Sequence, residues 1–267
     1  MIKAIFFDID ATSYIHAIHD SPKSTKLAFR KLKEAGMKIA ICTSRSYQEM
    51  IHLPSHYWEL MDAVVCLGGA QIYLDGKLVV NHPLDDEIED VIRLLEEDHT
   101  TYRWTSSDGE NCLNQHEQDI ENLFQYLYQM IPPVKAYDHR ELVHFLYYPK
   151  SEEVRQKAAS LCRKNYHINL KKASEITAPN IHKGHGIIEC AKLWGIQQNE
   201  TAAFGDANND LPMIQTAEIG IAMGNASDLL KQHADYITDS IENDGLYKAC
   251  IHFGWIKEDE EHESNYL

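Results

Sequence analysis

Short apolar runs that end in polar or acidic residues mark both ends of the chain. Ile2 to Phe7 is followed by Asp8 and Asp10, Lys38 to Cys42 by Thr43-Ser44-Arg45-Ser46, and Ala63 to Leu67 by Gly68-Gly69. Runs of this length predict strands covered on both faces. Between the first two, Ser21-Pro22 opens a helix that carries Leu27 and Leu32 and stops at Gly36; proline near the start and glycine past the end are the usual helix punctuation. The pattern returns late in the chain. Thr201 to Phe204 runs into Gly205-Asp206, Ile219 to Met223 into Gly224-Asn225, and Ala234 to Thr238 closes the series. Helices are predicted from about Gly184 to Trp194 and around Leu211 to Ala217. Strands alternating with helices predict an α/β fold with a mostly parallel sheet. Ligands bind beyond the carboxyl ends of such strands, so Asp8, Thr43 and Asp206 should converge.

The middle of the chain has a different pattern. Ile72 to Val80, with Asp75-Gly76 at its centre, predicts a β-hairpin. Ile88, Val91, Ile92 and Leu95 give one face of a helix, and Ile120, Leu123, Phe124, Leu127 and Met130 another, broken at Pro132-Pro133. Extended segments are predicted at Tyr102 to Thr105 and Cys112-Leu113, on either side of Asp108-Gly109. A strand over Leu142 to Tyr148, a helix around Val154 to Arg163 and a strand around Tyr166 to Leu170 follow. This block is large enough for its own core. The expected division is a core domain over 1–82 and 180–267, interrupted by a second α/β domain over 83–179.

Charge narrows the function. There are 41 Asp and Glu against 25 Lys and Arg, a net charge of −16. Nucleic acid and anionic membrane surfaces both call for a basic footprint, so neither is expected as a partner. The N-terminal MIKAIFFDID has no long apolar run and reads as neither signal peptide nor anchor. The six cysteines are scattered, several within apolar runs, which fits buried thiols and a cytoplasmic location. The acidic segment Lys257 to Leu267 reads as a solvated tail.

Four separated pieces carry chemistry: Asp8-Ile9-Asp10-Ala11-Thr12, Thr43, Lys183, and Gly205-Asp206-Ala207-Asn208-Asn209-Asp210. Together they suit phosphoryl transfer. A carboxylate such as Asp8 can attack phosphorus and form an aspartyl phosphate. That brings an anion towards an anion, so a hard divalent cation held by oxygens, Mg²⁺, is expected alongside. Lys183 supplies a fixed positive charge and Thr43 a donor to a phosphoryl oxygen; positioning and electrostatics dominate such reactions. If the strand stays extended, Asp8 and Asp10 point to the same side, and Asp10 can serve as general acid and base. Arg45 is a second candidate cation, or the partner of an acid on the core surface.

The motifs FFDIDAT, ICTSR, LGGAQIYLDGK, the HKG before a helix, FGDANNDLPMI, MGNA, ADYIT and the late Asp244-Gly245 occur in that order. On them the chain resembles haloacid-dehalogenase-superfamily phosphatases, and more closely their Cof-like branch with a large α/β cap. The resemblance implies a Rossmann-like three-layer core with an inserted cap, and Mg²⁺-dependent hydrolysis of small phosphorylated metabolites. It implies Asp8 as nucleophile, Asp10 as general acid and base, and Thr43, Lys183 and Asn209 around the phosphoryl group. Asp8, the backbone carbonyl of Asp10, and Asp206 would hold the metal, with Asp210 behind them and Thr12, Ser44 and Arg45 in support. The family usually has Gly at Ala11, Leu-Leu at Ser13-Tyr14, Gly at Ser44 and Asn at Gly68. Alanine at 11 is expected to fit without a positive φ.

Other readings of these residues are a non-enzymatic phosphoacceptor, a phosphomutase and a binding protein without turnover. The insertion and Asp10 favour hydrolysis over the first. HxxH pairs such as His16/His19 and His182/His185 read as surface or loop residues, although His182 adjoins Lys183. The stripe Phe124, Tyr126, Leu127, Tyr128 and Met130 reads as packing within the cap.

Overall fold

The structure, a computed structural model, describes residues 1–127 and 129–258. In chain order the first part comprises β1 (Ala4–Phe7), α1 (Lys23–Glu34), β2 (Lys38–Cys42), α2 (His56–Glu59), β3 (Ala63–Cys66), β4 (Gln71–Leu74) and β5 (Lys77–Asn81). Next come α3 (Ile88–Glu97), β6 (Tyr102–Ser106), β7 (Asn111–Leu113), α4 (Gln118–Tyr126), β8 (Leu142–Tyr147), α5 (Glu152–Leu161), β9 (Tyr166–Asn169) and β10 (Ser174–Thr177). The chain closes with α6 (Lys183–Trp194), β11 (Thr201–Gly205), α7 (Leu211–Thr216), β12 (Ile219–Ala222), α8 (Asp228–His233), β13 (Tyr236–Ile237) and α9 (Gly245–His252).

Two sheets result. The larger runs β13-β12-β11-β1-β2-β3-β4-β5, parallel from β13 through β3, with the β4–β5 hairpin antiparallel at one edge. Asp75 and Gly76 turn that hairpin with φ of 49° and 73°, the positive values of a primed hairpin turn. β1 is central, with Phe7 in register with Phe204 on one side and Ile41 on the other. The order reverses between β1 and β11, the kind of switch point that opens a crevice at the strand ends.

Both faces of this sheet are covered. On one, Phe7 packs between Phe29 of α1 and Phe204, with ring centroids 4.9 and 5.1 Å apart. On the other, Phe6, Ala40 and Val65 meet Ile187 and Cys190 of α6 and Met213 of α7. Each buried phenylalanine contributes roughly 1.5–3 kcal/mol.

The smaller sheet is antiparallel, ordered β7-β6-β8-β10-β9. Its helices α3 and α5 share a core with Tyr102, Trp104, Phe145 and Tyr147, while Phe124 of α4 belongs to a second cluster with Leu146 and Tyr148. Strand β10 has no counterpart in the apolar pattern. Three of its four residues are polar, yet all four are buried between β8 and β9.

From β10 the chain passes back to the larger sheet through Ala178 to His182. Thr177 Oγ1 donates to the Ile181 carbonyl and tightens this return. His182 then caps α6, its Nδ1 accepting from the His185 amide at 3.1 Å. The stripe expected along α4 is only partly packed: Phe124 is buried, whereas Tyr126 and Met130 are 70% and 51% exposed. Tyr128, and the tail beyond residue 258, lie outside the described residues. All six cysteines are free thiols. No helix among the described residues is long and apolar enough to cross a membrane.

Candidate active site

β1, β2 and β11 lie side by side and deliver Asp8, Thr43 and Asp206 to one end of the sheet. Lys183, the first residue of α6, reaches in between. Its Nζ lies 2.6 Å from Asp8 Oδ1 and 2.6 Å from Asp210 Oδ1. The three side chains are almost wholly buried. Removing one partner of such a buried pair typically costs about 3–5 kcal/mol, because an uncompensated charge remains. Burial alone would lower the Lys183 pKa, but the Asp210 and Asp8 carboxylates hold it well above its usual value.

Asp210 has a second task. Its Oδ2 accepts from the Asp206 and Ala207 amides at 2.9 Å each, which folds the loop after β11 around it. Thr12 Oγ1 donates to Asp206 Oδ1 at 2.9 Å. One carboxylate oxygen from each of Asp8, Asp206 and Asp210 lies within 4.8 Å of the others. Burial, followed by repulsion from Asp210, pushes the Asp206 carboxyl up to about 7. Asp8 is raised well above the ordinary value by burial, against the pull of Lys183. Buried acids held this close call for a cation, and an all-oxygen set suits a hard one.

The extended run does not continue through Asp10. β1 ends at Phe7, the chain bends at Ile9, and Ala11 has a φ of 62°. Asp8 and Asp10 therefore take different partners, contrary to the strand-alternation argument. Asp10 pairs with Arg45, whose Nε lies 3.0 Å from Oδ2 while Nη2 reaches Oδ1, and His16 Nε2 lies 3.1 Å from Oδ1. Burial opposes ionisation here, but Arg45 and then His16 prevail and hold Asp10 well below the usual carboxylate range. Arg45 is thus the partner of an acid, and that acid is the proposed proton carrier itself.

The positive φ at Ala11 also corrects the expectation that alanine fits there without one. Its strain is held by two hydrogen bonds, Ala11 N to the Tyr14 carbonyl at 3.0 Å and Asn225 Nδ2 to the Ala11 carbonyl at 2.9 Å. Ser13 and Tyr14 replace aliphatic residues with contacts of their own. Ser13 Oγ donates to the Asp8 carbonyl at 2.7 Å and lies 2.9 Å from Tyr57 Oη, while the Arg45 guanidinium lies 5.7 Å from the Tyr14 ring centroid.

Thr43 is buried at the end of β2, its Oγ1 accepting from the Arg45 amide at 3.1 Å. Asn209 donates to Ser44 Oγ at 3.0 Å, and Ser44 donates to Glu175 Oε2 at 3.0 Å. Glu175, on β10, also takes His144 Nε2 of β8 at 2.8 Å. Burial would raise the Glu175 pKa, but the His144 contact lowers it. A Cβ at Gly68, where φ is 63°, would come within 2.6 Å of Glu175 Oε1. Glycine there lets the smaller sheet approach this closely.

A second bridge joins Glu49 to Arg103 of β6 at 2.5 Å and to Asn111 of β7 at 3.1 Å. Arg45 Nη2 also donates to the Leu127 carbonyl at 3.1 Å. A cavity of about 340 Å³ lies beside these bridges, with Asp10, Ser44 and Arg45 on one side and Arg103, Phe124, Leu127, Leu146 and Tyr148 among the residues on the other.

Glu49, Arg103, His144 and Glu175 were not among the residues singled out in the sequence, and His16, read there as a surface or loop residue, is instead a partner of Asp10. The one local signal was a charge inside a short, otherwise buried strand, as Arg103 is in YRWTS and Glu175 in SEIT. His182 caps a helix, His185 lies against the His82 ring at 5.3 Å, and among the described residues the three aspartates form the only cluster of metal-ligating type.

The profile of the haloacid dehalogenase-like hydrolases matches residues 5–250. The chain belongs to this family, and it is an enzyme of the phosphatase class. It is 27% identical over 259 residues to the 5-amino-6-(5-phospho-D-ribitylamino)uracil phosphatase YcsE of Bacillus subtilis, covering 96% of each chain. To YbjI of Escherichia coli, a phosphatase of the same name, it is 23% identical, covering 92% of this chain and 93% of that one. Among solved structures it resembles BT4131, a subclass IIB sugar phosphatase, with a TM-score of 0.90 and 27% identity, over 95% of this chain and 100% of that one. The larger sheet is the Rossmann-like core of the family, and the smaller sheet with its helices is the cap.

Proposed function

We propose that this enzyme hydrolyses small phosphate monoesters with the help of Mg²⁺, through an aspartyl phosphate on Asp8. The observation that carries the reading is the buried Lys183 ammonium set between Asp8 and Asp210, with Asp206 beside them. We assign 1–82 and 180–267 to the core and 83–179 to the cap, so the substrate sits at their seam. Relatives named as phosphatases of phosphorylated metabolites support this class of substrate.

The Asp8 carboxylate attacks phosphorus as the ester P–O bond breaks, and the leaving oxygen takes a proton. Water then attacks the acyl phosphate, releasing inorganic phosphate and restoring Asp8. Lys183 and the Thr43 hydroxyl hold equatorial oxygens, where the charge of a loose transition state resides. Asp206 and Asp8 would hold Mg²⁺ with the Asp10 backbone carbonyl, while Asp210 keeps Lys183 and the loop in place. When bound, the cation offsets repulsion between Asp8 and the incoming phosphate. Asp10 gives the leaving group its proton and takes one from water. Since Arg45 holds Asp10 ionised, that pair must loosen when substrate enters.

The test is phosphate release from a broad panel of esters with Mg²⁺, with Asp8→Asn as control, together with mass spectrometry of acid-quenched enzyme. Turnover that vanishes in the variant, with a phosphoryl group trapped on Asp8, supports the reading. Equal activity of wild type and variant rejects it. Transfer of the phosphoryl group between substrate positions, without net release, would mark a mutase.

A further inference from the structure

The cavity between core and cap has a one-sided chemistry. Part of its cap wall is apolar, with Phe124, Leu146 and Tyr148 buried in it. Set into the lining are two guanidinium groups, Arg45 and Arg103, which are 2% and 4% exposed. Neither is fully satisfied: Arg45 Nη1 and Arg103 Nε are buried and have no hydrogen-bond partner among the described residues. The exposed Lys171 and Lys172 add further positive charge to the lining.

Besides Asp10 and Ser44, the side-chain acceptors of the lining are the Gln129 amide oxygen and the Tyr148 hydroxyl. The Asp10 oxygens are held by Arg45 and His16, and Ser44 already receives a bond from Asn209 while donating to Glu175. A guanidinium has donors only, and a buried donor without a partner is unfavourable. Cationic donors outnumber acceptors in this lining, so a ligand that brings acceptor oxygens is matched better than a polyol, whose hydroxyl groups need both. An apolar ring bearing a carbonyl or carboxylate oxygen matches both features.

We propose that the enzyme's preferred substrates are phosphate monoesters whose leaving group has an aromatic or similarly apolar body carrying a carbonyl or carboxylate oxygen, and that Arg103 binds that oxygen. This rests on the phosphatase reading above and narrows its substrate class. Arg103 is then a specificity-determining residue at a distance from the phosphoryl chemistry. Glu49, paired with Arg103 Nη1 at 2.5 Å, fixes its position.

The experiment compares kcat/KM of the full chain with Mg²⁺ on 3-carboxyphenyl phosphate, whose carboxylate cannot reach its own leaving oxygen, phenyl phosphate and glucose 6-phosphate. The carboxylate is expected to raise kcat/KM over phenyl phosphate by about tenfold, as a hydrogen bond to a charged group does, with the hexose ester the poorest of the three. In Arg103→Met the carboxylate advantage should vanish while phenyl phosphate turnover stays within about threefold. Since that change strands Glu49, Glu49→Gln/Arg103→Met provides the same test without a buried unpaired charge. Loss of the advantage in a folded variant supports the assignment; a preference for glucose 6-phosphate, or an advantage that survives both variants, overturns it. Failure of the wild type to hydrolyse any of the three overturns the phosphatase reading and this inference together, whereas a hexose preference overturns this inference alone.

Discussion

Arg45 holds Asp10 through both arms of its guanidinium, Nε at 3.0 Å from Oδ2 and Nη2 against Oδ1, and the same Nη2 donates to the cap at the Leu127 carbonyl. One cation therefore sets the ionisation of a proposed proton carrier and touches the lid above it. Its planar fork suits both jobs in a way that lysine would not.

Replacing Arg45 should free Asp10 to titrate. With the guanidinium gone, burial raises the Asp10 pKa unopposed except by His16. The basic limb of kcat/KM against pH, where a proton donor to the leaving group loses its proton, is expected to move to higher pH in Arg45→Met. A basic limb that stays in place would mean that another group governs it.

Magnesium should stabilise the fold and do so more strongly as pH rises through neutrality. Asp206 is raised to about 7 and Asp8 is raised as well, so without a cation the cluster retains protons that the metal must displace. The expected result is a rise in Tm with Mg²⁺ that is larger at pH 8 than at pH 6 and is reversed by a chelator. Asp206→Asn should abolish most of the rise. A shift independent of pH would dissociate metal binding from these carboxylates.

Ala11→Gly should stabilise the protein. A non-glycine residue with φ of 62° carries about 1 kcal/mol or more of strain, and glycine recovers part of it while losing some chain entropy. The net gain is expected to be roughly 0.5–1 kcal/mol in denaturant unfolding. A loss of stability would mean that the alanine methyl makes contacts worth more than the strain.

Acid should weaken the fold through two half-buried histidines. Burial, aided by Lys26 for His56 and by Arg155 for His167, lowers each pKa to about 4. Between about 6.5 and 4 the unfolded chain binds protons at these sites and the folded chain does not, so their contribution is present above 6.5 and is lost as pH falls through that window. The slope of Tm against pH over this range should flatten in His56→Gln and in His167→Gln. An unchanged slope in both variants would assign the acid sensitivity to other groups.

The central strands were legible because β1, β2 and β11 are apolar runs with polar ends, and a parallel sheet gathers such ends at one side. That is why the strand pattern alone led to the expectation that Asp8, Thr43 and Asp206 converge at one end of the sheet. β10 was not legible. Ser174, Glu175 and Thr177 are buried because β8 and β9 flank them, a tertiary circumstance that leaves no mark in local hydropathy. Partners were hidden for the same reason. Glu49 and Arg103 stand 54 positions apart, and Ser44 and Glu175 stand 131 apart, so no spacing announces either pair. The pairing of Asp10 with Arg45 was open in the sequence because the bend at Ile9 and Ala11 breaks the alternation on which the argument depended.

The return from β10 to α6 has a consequence for how such an enzyme can change. Six residues after Thr177 the chain is already at Lys183, so the seam by which the cap rejoins the core is also the mount of the lysine that holds Asp8. The outward seam after β5 carries no group of the charged cluster. A new cap grafted at the outward seam could vary freely in length, whereas at the return seam even one residue inserted would re-aim the ammonium. Variation in this architecture therefore has one loose seam and one that is tied to the lysine beside Asp8.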